Sequence, residues 1–185
     1  MVTEFVDVRL TKVNNALLSF YRMVKIGLQL KADLENLTNF RAEGEDFRWY
    51  LRLKCCNCNE ETTEFQYLSL AENTPVKGGR GHASLVMKCK LCHRENHIDI
   101  MRDSLKPYCE GDSGKFVTVV VFDCRGLEPI DFSPRAGFVA EGAESGTPFT
   151  EIAFNEGDPD WSEYDAQANQ SVGVFNIQHR FEVVK

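Results

Sequence analysis

Cys55-x-x-Cys58 and Cys89-x-x-Cys92 stand thirty residues apart, in the stretches "LRLKCCNCNEE" and "MKCKLCHREN". One such pair suits a redox couple, half of a metal site or plain packing. Two pairs point to a metal. A tight turn across each C-x-x-C aims both sulfurs at one point, and two turns brought together supply a tetrahedron. Zinc takes four thiolates at about 2.3 Å, which leaves no position open for water, so such a site is structural. Cys55 and Cys58 have the two-residue gap, and Cys56 is left as a spare thiol beside them. A redox pair would open a helix inside a βαβ unit, and neither pair is followed by a helical pattern. An iron–sulfur cluster is the remaining metal reading. With four well-spaced sulfurs available, neither His93 nor His97 is needed as a ligand. Asn59 follows the second sulfur, where the turn needs a left-handed backbone that Asn tolerates. Lys54, Lys88 and Lys90 lie close enough in sequence to offset the negative charge of a zinc tetrathiolate.

The elements that must position these turns are strands. Ile26, Leu28, Leu30, Ala32 and Leu34 alternate with mostly polar residues, as do Phe47, Trp49, Leu51 and Leu53. "EFQYLSL" is a return strand after the first pair, and "ASLVMK" and "NHIDIM" flank the second, so each pair tops a hairpin. "KFVTVVVFDC" is apolar on both faces and belongs in the middle of a sheet, while "SVGVFNIQHRFEVV" forms a long closing strand. Two short amphipathic helices are expected, over residues 10 to 24 and in "DWSEYDAQANQ" with Trp161 and Tyr164 as anchors. The class is mainly β and sandwich-like. Leu34-Glu35, Leu37 and Phe40 are echoed by Leu127-Glu128, Ile130 and Phe132, which suggests two related β-units. The expected division is an N-terminal extension over 1–22, a zinc-bearing unit over 23–112 and a second unit over 113–185, packed as one compact domain. Cys124 continues the face of Phe116, Val120 and Phe122 and should be a core thiol; Cys109 stands alone.

Composition narrows the class further. The 185 residues allow a real hydrophobic core, and 26% charged residues are ordinary for a globular chain. No apolar run is long enough to cross a bilayer. Glu4 and Asp7 interrupt the N-terminus where a secretory signal would be apolar, which places the chain in the cytoplasm with the nucleus open. Seven cysteines in a reducing compartment favour metal or thiol chemistry over disulfides. Net charge is −7, unevenly spread. Lys77, Arg80, Lys88, Lys90 and Arg94 form a stretch without acids, whereas residues 136–179 hold eight acids and no Lys or Arg. Either surface can dock a partner by charge.

The motifs "GEDFRWYLRLKC", "KGGRGHAS", "CKLCHREN", "CRGLEPIDFSP" and "GFVAEGAESGTPF", followed by "DWSEYD", resemble the eukaryotic CXXC-motif-containing zinc-binding protein family from about Met23 to Val184. The resemblance implies a β-rich fold with an internal duplication and one zinc on Cys55, Cys58, Cys89 and Cys92, with no established reaction. Cys56, Asn59 and the residues before Met23 depart from the usual pattern of that family.

The leading expectation is therefore a non-catalytic zinc protein, monomeric, that presents a surface to a protein partner and takes part in metal handling. Soft thiolates also suit copper(I). A ribbon-like nucleic-acid module is the second reading, with Trp49 and Tyr50 as stacking residues, but a pI near 5.2 and the acidic stretch oppose it. A thiol enzyme using Cys56 is the third. His82 and Ser84 adjoin each other without an obvious orienting acid, and "KGGRGHAS" lacks the phosphate-loop pattern and reads as a flexible turn.

Overall fold

The computed structural model describes residues 23–76, 81–155, 157 and 159–184. The segment 1–22 and residues 77–80, with Lys77 and Arg80 of the basic stretch, lie outside the described residues. So does most of the helix expected over 10 to 24, and Val24 opens a strand instead.

The first half of the chain forms β1 (Val24–Glu35), β2 (Leu37–Ala42), β3 (Trp49–Cys55), β4 (Gln66–Leu68), β5 (Thr74–Pro75), β6 (His82–Ala83), β7 (Leu85–Lys88) and β8 (Glu95–Ile100). The second half forms β9 (Val117–Arg125), β10 (Leu127–Ser133), β11 (Phe138–Gly142), β12 (Pro148–Ile152), β13 (Trp161–Asp165) and β14 (Gln170–Val184). Among the described residues, helix is limited to two single 3₁₀ turns, Arg102–Ser104 and Glu110–Asp112. The molecule is mainly β, with curled sheets.

The helix expected in "DWSEYDAQANQ" is not formed. Trp161–Asp165 is strand β13, and the chain reverses over residues 166–169 into β14. The reason is local. Asp165 Oδ1 accepts the backbone N–H groups of Gln167 and Ala168, at 2.9 and 3.2 Å, which closes a turn before a helix can propagate.

The main sheet runs β13-β14-β1-β9-β8-β7. Read from either end it gives the same sequence of parts: a hairpin, then a long central strand. A pseudo-two-fold axis therefore passes between β1 and β9, which are antiparallel. Both central strands leave this sheet at a corner with a left-handed residue, Asn36 (φ 52°) after β1 and Gly126 (φ 82°) after β9. A Cβ at Gly126 would collide with the side chain of Asn96, so this corner needs glycine for space as well as for φ. Beyond the corners the halves exchange strands. β2 pairs with β11 of the second half, and β10 pairs with β3 of the first.

The core lies where these exchanged strands face the main sheet. Phe40 stacks on Phe138 at 4.9 Å between ring centroids, and Phe47 packs edge-on against both Phe138 and Trp49. Removing such a ring, as in Phe138→Ala, costs about 3–5 kcal/mol. Tyr108 is fully buried, and its hydroxyl lies 3.3 Å from the Ala32 N–H and within 3.1 Å of the Ala32, Asp112 and Lys115 carbonyls, pinning the inter-unit linker to β1. Cys124 is buried with Val120 and Phe122 as its alternation predicts, and burial raises its thiol pKa.

Candidate metal centre

β3 ends at Cys55, and β7 leads into Cys89. Each cysteine starts the same five-residue knuckle. The Cys55 N–H donates to the Glu60 carbonyl (2.8 Å), and the Asn59 N–H returns to the Cys55 carbonyl (2.8 Å). Likewise the Cys89 N–H donates to the Arg94 carbonyl (2.9 Å), and the His93 N–H returns to the Cys89 carbonyl (3.1 Å). Asn59 (φ 61°) and His93 (φ 58°) take the left-handed conformation that closes each turn. The left-handed residue read at Asn59 is thus present, and His93 fills the equivalent place with its backbone.

The two knuckles meet. The sulfurs of Cys55, Cys58, Cys89 and Cys92 all lie within 4.8 Å of one another. Cys58 Sγ is 3.5 Å from Cys89 Sγ, and Cys55 Sγ is 3.8 Å from Cys92 Sγ. A tetrahedron with metal–sulfur bonds of about 2.3 Å has edges of about 3.8 Å. A disulfide would need about 2.05 Å. The spacing therefore fits four sulfurs around one centre and fits no S–S bond. Cys55 and Cys89 are buried, while Cys58 and Cys92 are half-buried at the rim.

Four thiols this close cannot all ionise unaided. The Glu60 backbone N–H favours a Cys58 thiolate, but burial and hydrogen bonds with Cys89, Cys92 and Cys55 carry Cys58 up to about 12. The Arg94 backbone N–H and the Asn57 side chain hold Cys92 down, to about 6. A cation at the centre would supply the positive charge that lets closely spaced thiolates coexist.

Asn96 is the residue that the cysteine spacing did not reveal. It is 1% exposed, and its side-chain amide donates to Cys55 Sγ at 3.6 Å. The signal was present: Asn96, Ile98 and Ile100 share the inward face of β8, so a polar residue stands on an apolar face. Lys54 serves differently from expectation, since its ammonium pairs with Glu128 at 2.9 Å. Lys88 and Lys90 are exposed. Cys56 is exposed beside the cluster, with its N–H on the Gly126 carbonyl, and partial desolvation of its sulfur raises its pKa.

The profile of the family described as CXXC motif containing zinc binding protein, eukaryotic, matches residues 27–182. The chain belongs to that family. It is 59% identical over 159 residues to the Xenopus laevis CXXC motif containing zinc binding protein, spanning 86% of this chain and 98% of the relative. Its identity to the Homo sapiens protein of that name is 55% over the same spans. The crystal structure of C1orf123 superposes with a TM-score of 0.82 at 54% identity, covering 86% of this chain and 99% of that one. A hypothetical protein from Plasmodium falciparum shares the fold, with a TM-score of 0.77 at 19% identity over 85% of this chain and 99% of its own.

The other sequence candidates fall away from this centre. Ser84 does have an acid: Asp99 Oδ1 accepts its hydroxyl (2.7 Å) and its N–H (3.2 Å). Ser84 is 5% exposed and its oxygen also accepts the Ile100 N–H, so the group ties β8 to the bend between β6 and β7. Trp49 is 3% exposed and belongs to the core. Tyr50 carries the guanidinium of Arg135 4.0 Å over its ring. Trp49 is thus not free to stack on a base. Among the described residues no helix is long and apolar enough to cross a membrane.

Proposed function

We propose that this chain is a non-catalytic zinc protein. One structural Zn²⁺ is held by Cys55, Cys58, Cys89 and Cys92, and the folded surface around it docks a protein partner in the cytoplasm. The observation that carries the reading is the pair of sulfur–sulfur distances, 3.5 and 3.8 Å, in a cluster drawn from two hairpins that are otherwise remote in sequence. With four protein ligands the ion has no position for substrate, and its contribution is cohesion. The zinc-binding names of the relatives support the choice of metal.

A cavity of about 220 Å³ beside the cluster supports the docking role. Leu53, Met87 and Leu127 line it, and exposed Glu60 and Glu64 stand at its rim, outnumbering the cation there, Lys90. That combination receives a basic side chain with an aliphatic stem. The monomeric chain is the docking unit.

Elemental analysis of purified, tag-free protein tests the first claim. One zinc per chain is expected, and folded protein without metal would overturn it. For the second, Glu60→Lys with Glu64→Lys should keep the zinc and lose partners captured by the wild type. Capture unchanged in that variant places docking elsewhere.

A further inference from the structure

The pseudo-two-fold axis carries the two cysteine knuckles onto two turns of the second half. β11–β12 takes the place of β3–β4, and β13–β14 that of β7–β8. The match extends to individual hydrogen bonds. The Gly142 N–H donates to the Thr147 carbonyl (2.8 Å), and the Gly146 N–H returns to the Gly142 carbonyl (2.8 Å), as Cys55 and Asn59 do in the first knuckle. The Ala143 N–H donates to the corner carbonyl of Asn36 (2.9 Å), as Cys56 does to Gly126 (3.0 Å). Gly146 (φ 69°) and Asn169 (φ 54°) are left-handed, like Asn59 and His93. Counting along each turn, Gly142 and Ser145 occupy the places of Cys55 and Cys58, and Asp165 and Ala168 those of Cys89 and Cys92.

At the centre of this second constellation is a carboxylate. Asp165 is fully buried. Its Oδ2 accepts the Ser145 hydroxyl, and its Oδ1 accepts the Thr147 hydroxyl (3.0 Å) and the N–H groups of Gln167 and Ala168. The Ser145 oxygen in turn accepts the Thr147 N–H (3.0 Å). A Cβ on Gly142 would collide with Ser145 Oγ and Asp165 Oδ2. The space between the turns is thus already filled by the polar groups of Asp165 and Ser145.

We propose that the second turn pair is a metal-site scaffold in which the Asp165 carboxylate stands in for the ion, joining the two knuckles by hydrogen bonds. The backbone positions for a soft divalent cation are retained. Only the ligand atoms are gone, and restoring sulfur at all four places restores a second site for zinc or cobalt.

The test is a Co²⁺ titration of the full chain and of the variant Gly142→Cys, Ser145→Cys, Asp165→Cys, Ala168→Cys, followed by the visible bands of tetrahedral cobalt thiolate. The variant is expected to bind one more equivalent than the wild type, with doubled band intensity if the wild type binds one. A wild type that binds none and a variant that binds one would refute the zinc reading of the first half while supporting this one. A variant folded by circular dichroism that binds no more cobalt than the wild type overturns the proposal. If the variant does not fold, stability is measured for Gly142→Ala in the wild type and in a Ser145→Ala, Asp165→Ala background. A loss in the first that disappears in the second shows that these groups occupy the shared central volume. Equal losses in both overturn the proposal.

Discussion

The two ends of this molecule solve one packing problem with opposite charge. In the first half, two knuckles put four sulfurs within 4.8 Å of one another, an arrangement that suits a cation at the centre. In the second, equivalent turns surround a buried anion with hydroxyl and N–H donors. The neighbours follow suit. Asn96, behind Cys55, is matched through the axis by fully buried Val172. Behind the sulfur a buried amide donates to it; where the carboxylate is already satisfied by donors, an apolar side chain suffices. The same backbone therefore encloses a cluster of sulfurs at one end and a hydrogen-bonded carboxylate at the other.

The largest effect should come from removing the metal. Zinc at thiolate sites contributes about 10–16 kcal/mol in small peptides, against a total domain stability of about 5–15 kcal/mol. Chelation, or Cys89→Ser, is expected to abolish hydrogen-exchange protection in the β3–β4 and β7–β8 hairpins. The β11–β12 and β13–β14 hairpins, which no metal joins, should lose less of theirs. Equal loss of protection at both ends would show one cooperative unit and erase the contrast.

Acid should separate the ends in a defined order. The Ser145 hydroxyl first, and then the Ala168 N–H, the Thr147 hydroxyl and the Gln167 N–H, hold Asp165 below the usual carboxylate range. A depressed folded-state pKa gives stability that is complete above the unfolded value of about 3.9 and is lost as pH falls through the folded one. Thiolates compete with protons at much higher pH, so zinc should leave first on acidification. Zinc release and loss of the Asp165 hairpin, followed by metal indicator and amide exchange, are expected as two separate steps. Asp165→Ala should destabilise at neutral pH and remove the second step, and a second step surviving in that variant would count against this role.

How much of this was legible before the structure depends on where the determining contact lies. The clustering of the four sulfurs was legible because residue type and spacing alone describe two turns aimed at one point. β1, β3 and β9 were legible because one or both faces are buried and the period shows it. The duplication was visible, but its register was not. The shared letters pair Leu34 with Leu127, whereas the corners pair Asn36 with Gly126 and so Leu37 with Leu127. A corner is set by backbone conformation, which Asn and Gly both permit, and so leaves no common letter. "DWSEYDAQANQ" misled for a related reason. Its Ala and Gln residues favour helix locally, but the Asp165 carboxylate meets donors from Ser145 and Thr147, which only the folded chain brings near.

A smaller effect should follow from the amide behind Cys55. Asn96→Ala removes the side-chain donor 3.6 Å from the sulfur and leaves the ligand set intact. Partners of this kind typically change metal affinity about 10–100-fold. A competition titration against a chelator of known strength should show a loss in that range, with one equivalent still bound. Val172→Ala, at the matching place, should lower stability through lost packing and leave zinc affinity alone. If both variants weakened zinc equally, affinity would be responding to general stability rather than to the sulfur's hydrogen bond.

The smallest effect should be the same at both ends, because it belongs to the backbone they share. Asn59 and Asn169 both sit at left-handed φ, 61° and 54°, one closing a sulfur knuckle and the other closing the Asp165 turn. A residue with Cβ but no short polar side chain loses about 1–2 kcal/mol in that conformation relative to the right-handed one, and Asn relieves part of this. Asn59→Ala and Asn169→Ala should each cost about 1 kcal/mol in denaturant unfolding at saturating zinc. Gly at 59 should be near neutral, since its freedom in the turn is offset by its greater unfolded-state entropy. The comparison at 169 is made in a Tyr164→Phe background, where the Tyr164 hydroxyl no longer donates to Asn169 Oδ1 (2.6 Å). Matching costs at 59 and 169 would assign the penalty to turn geometry whatever fills the centre. A cost several-fold larger at 59 would mean that the ion holds its turn under strain that the carboxylate does not impose.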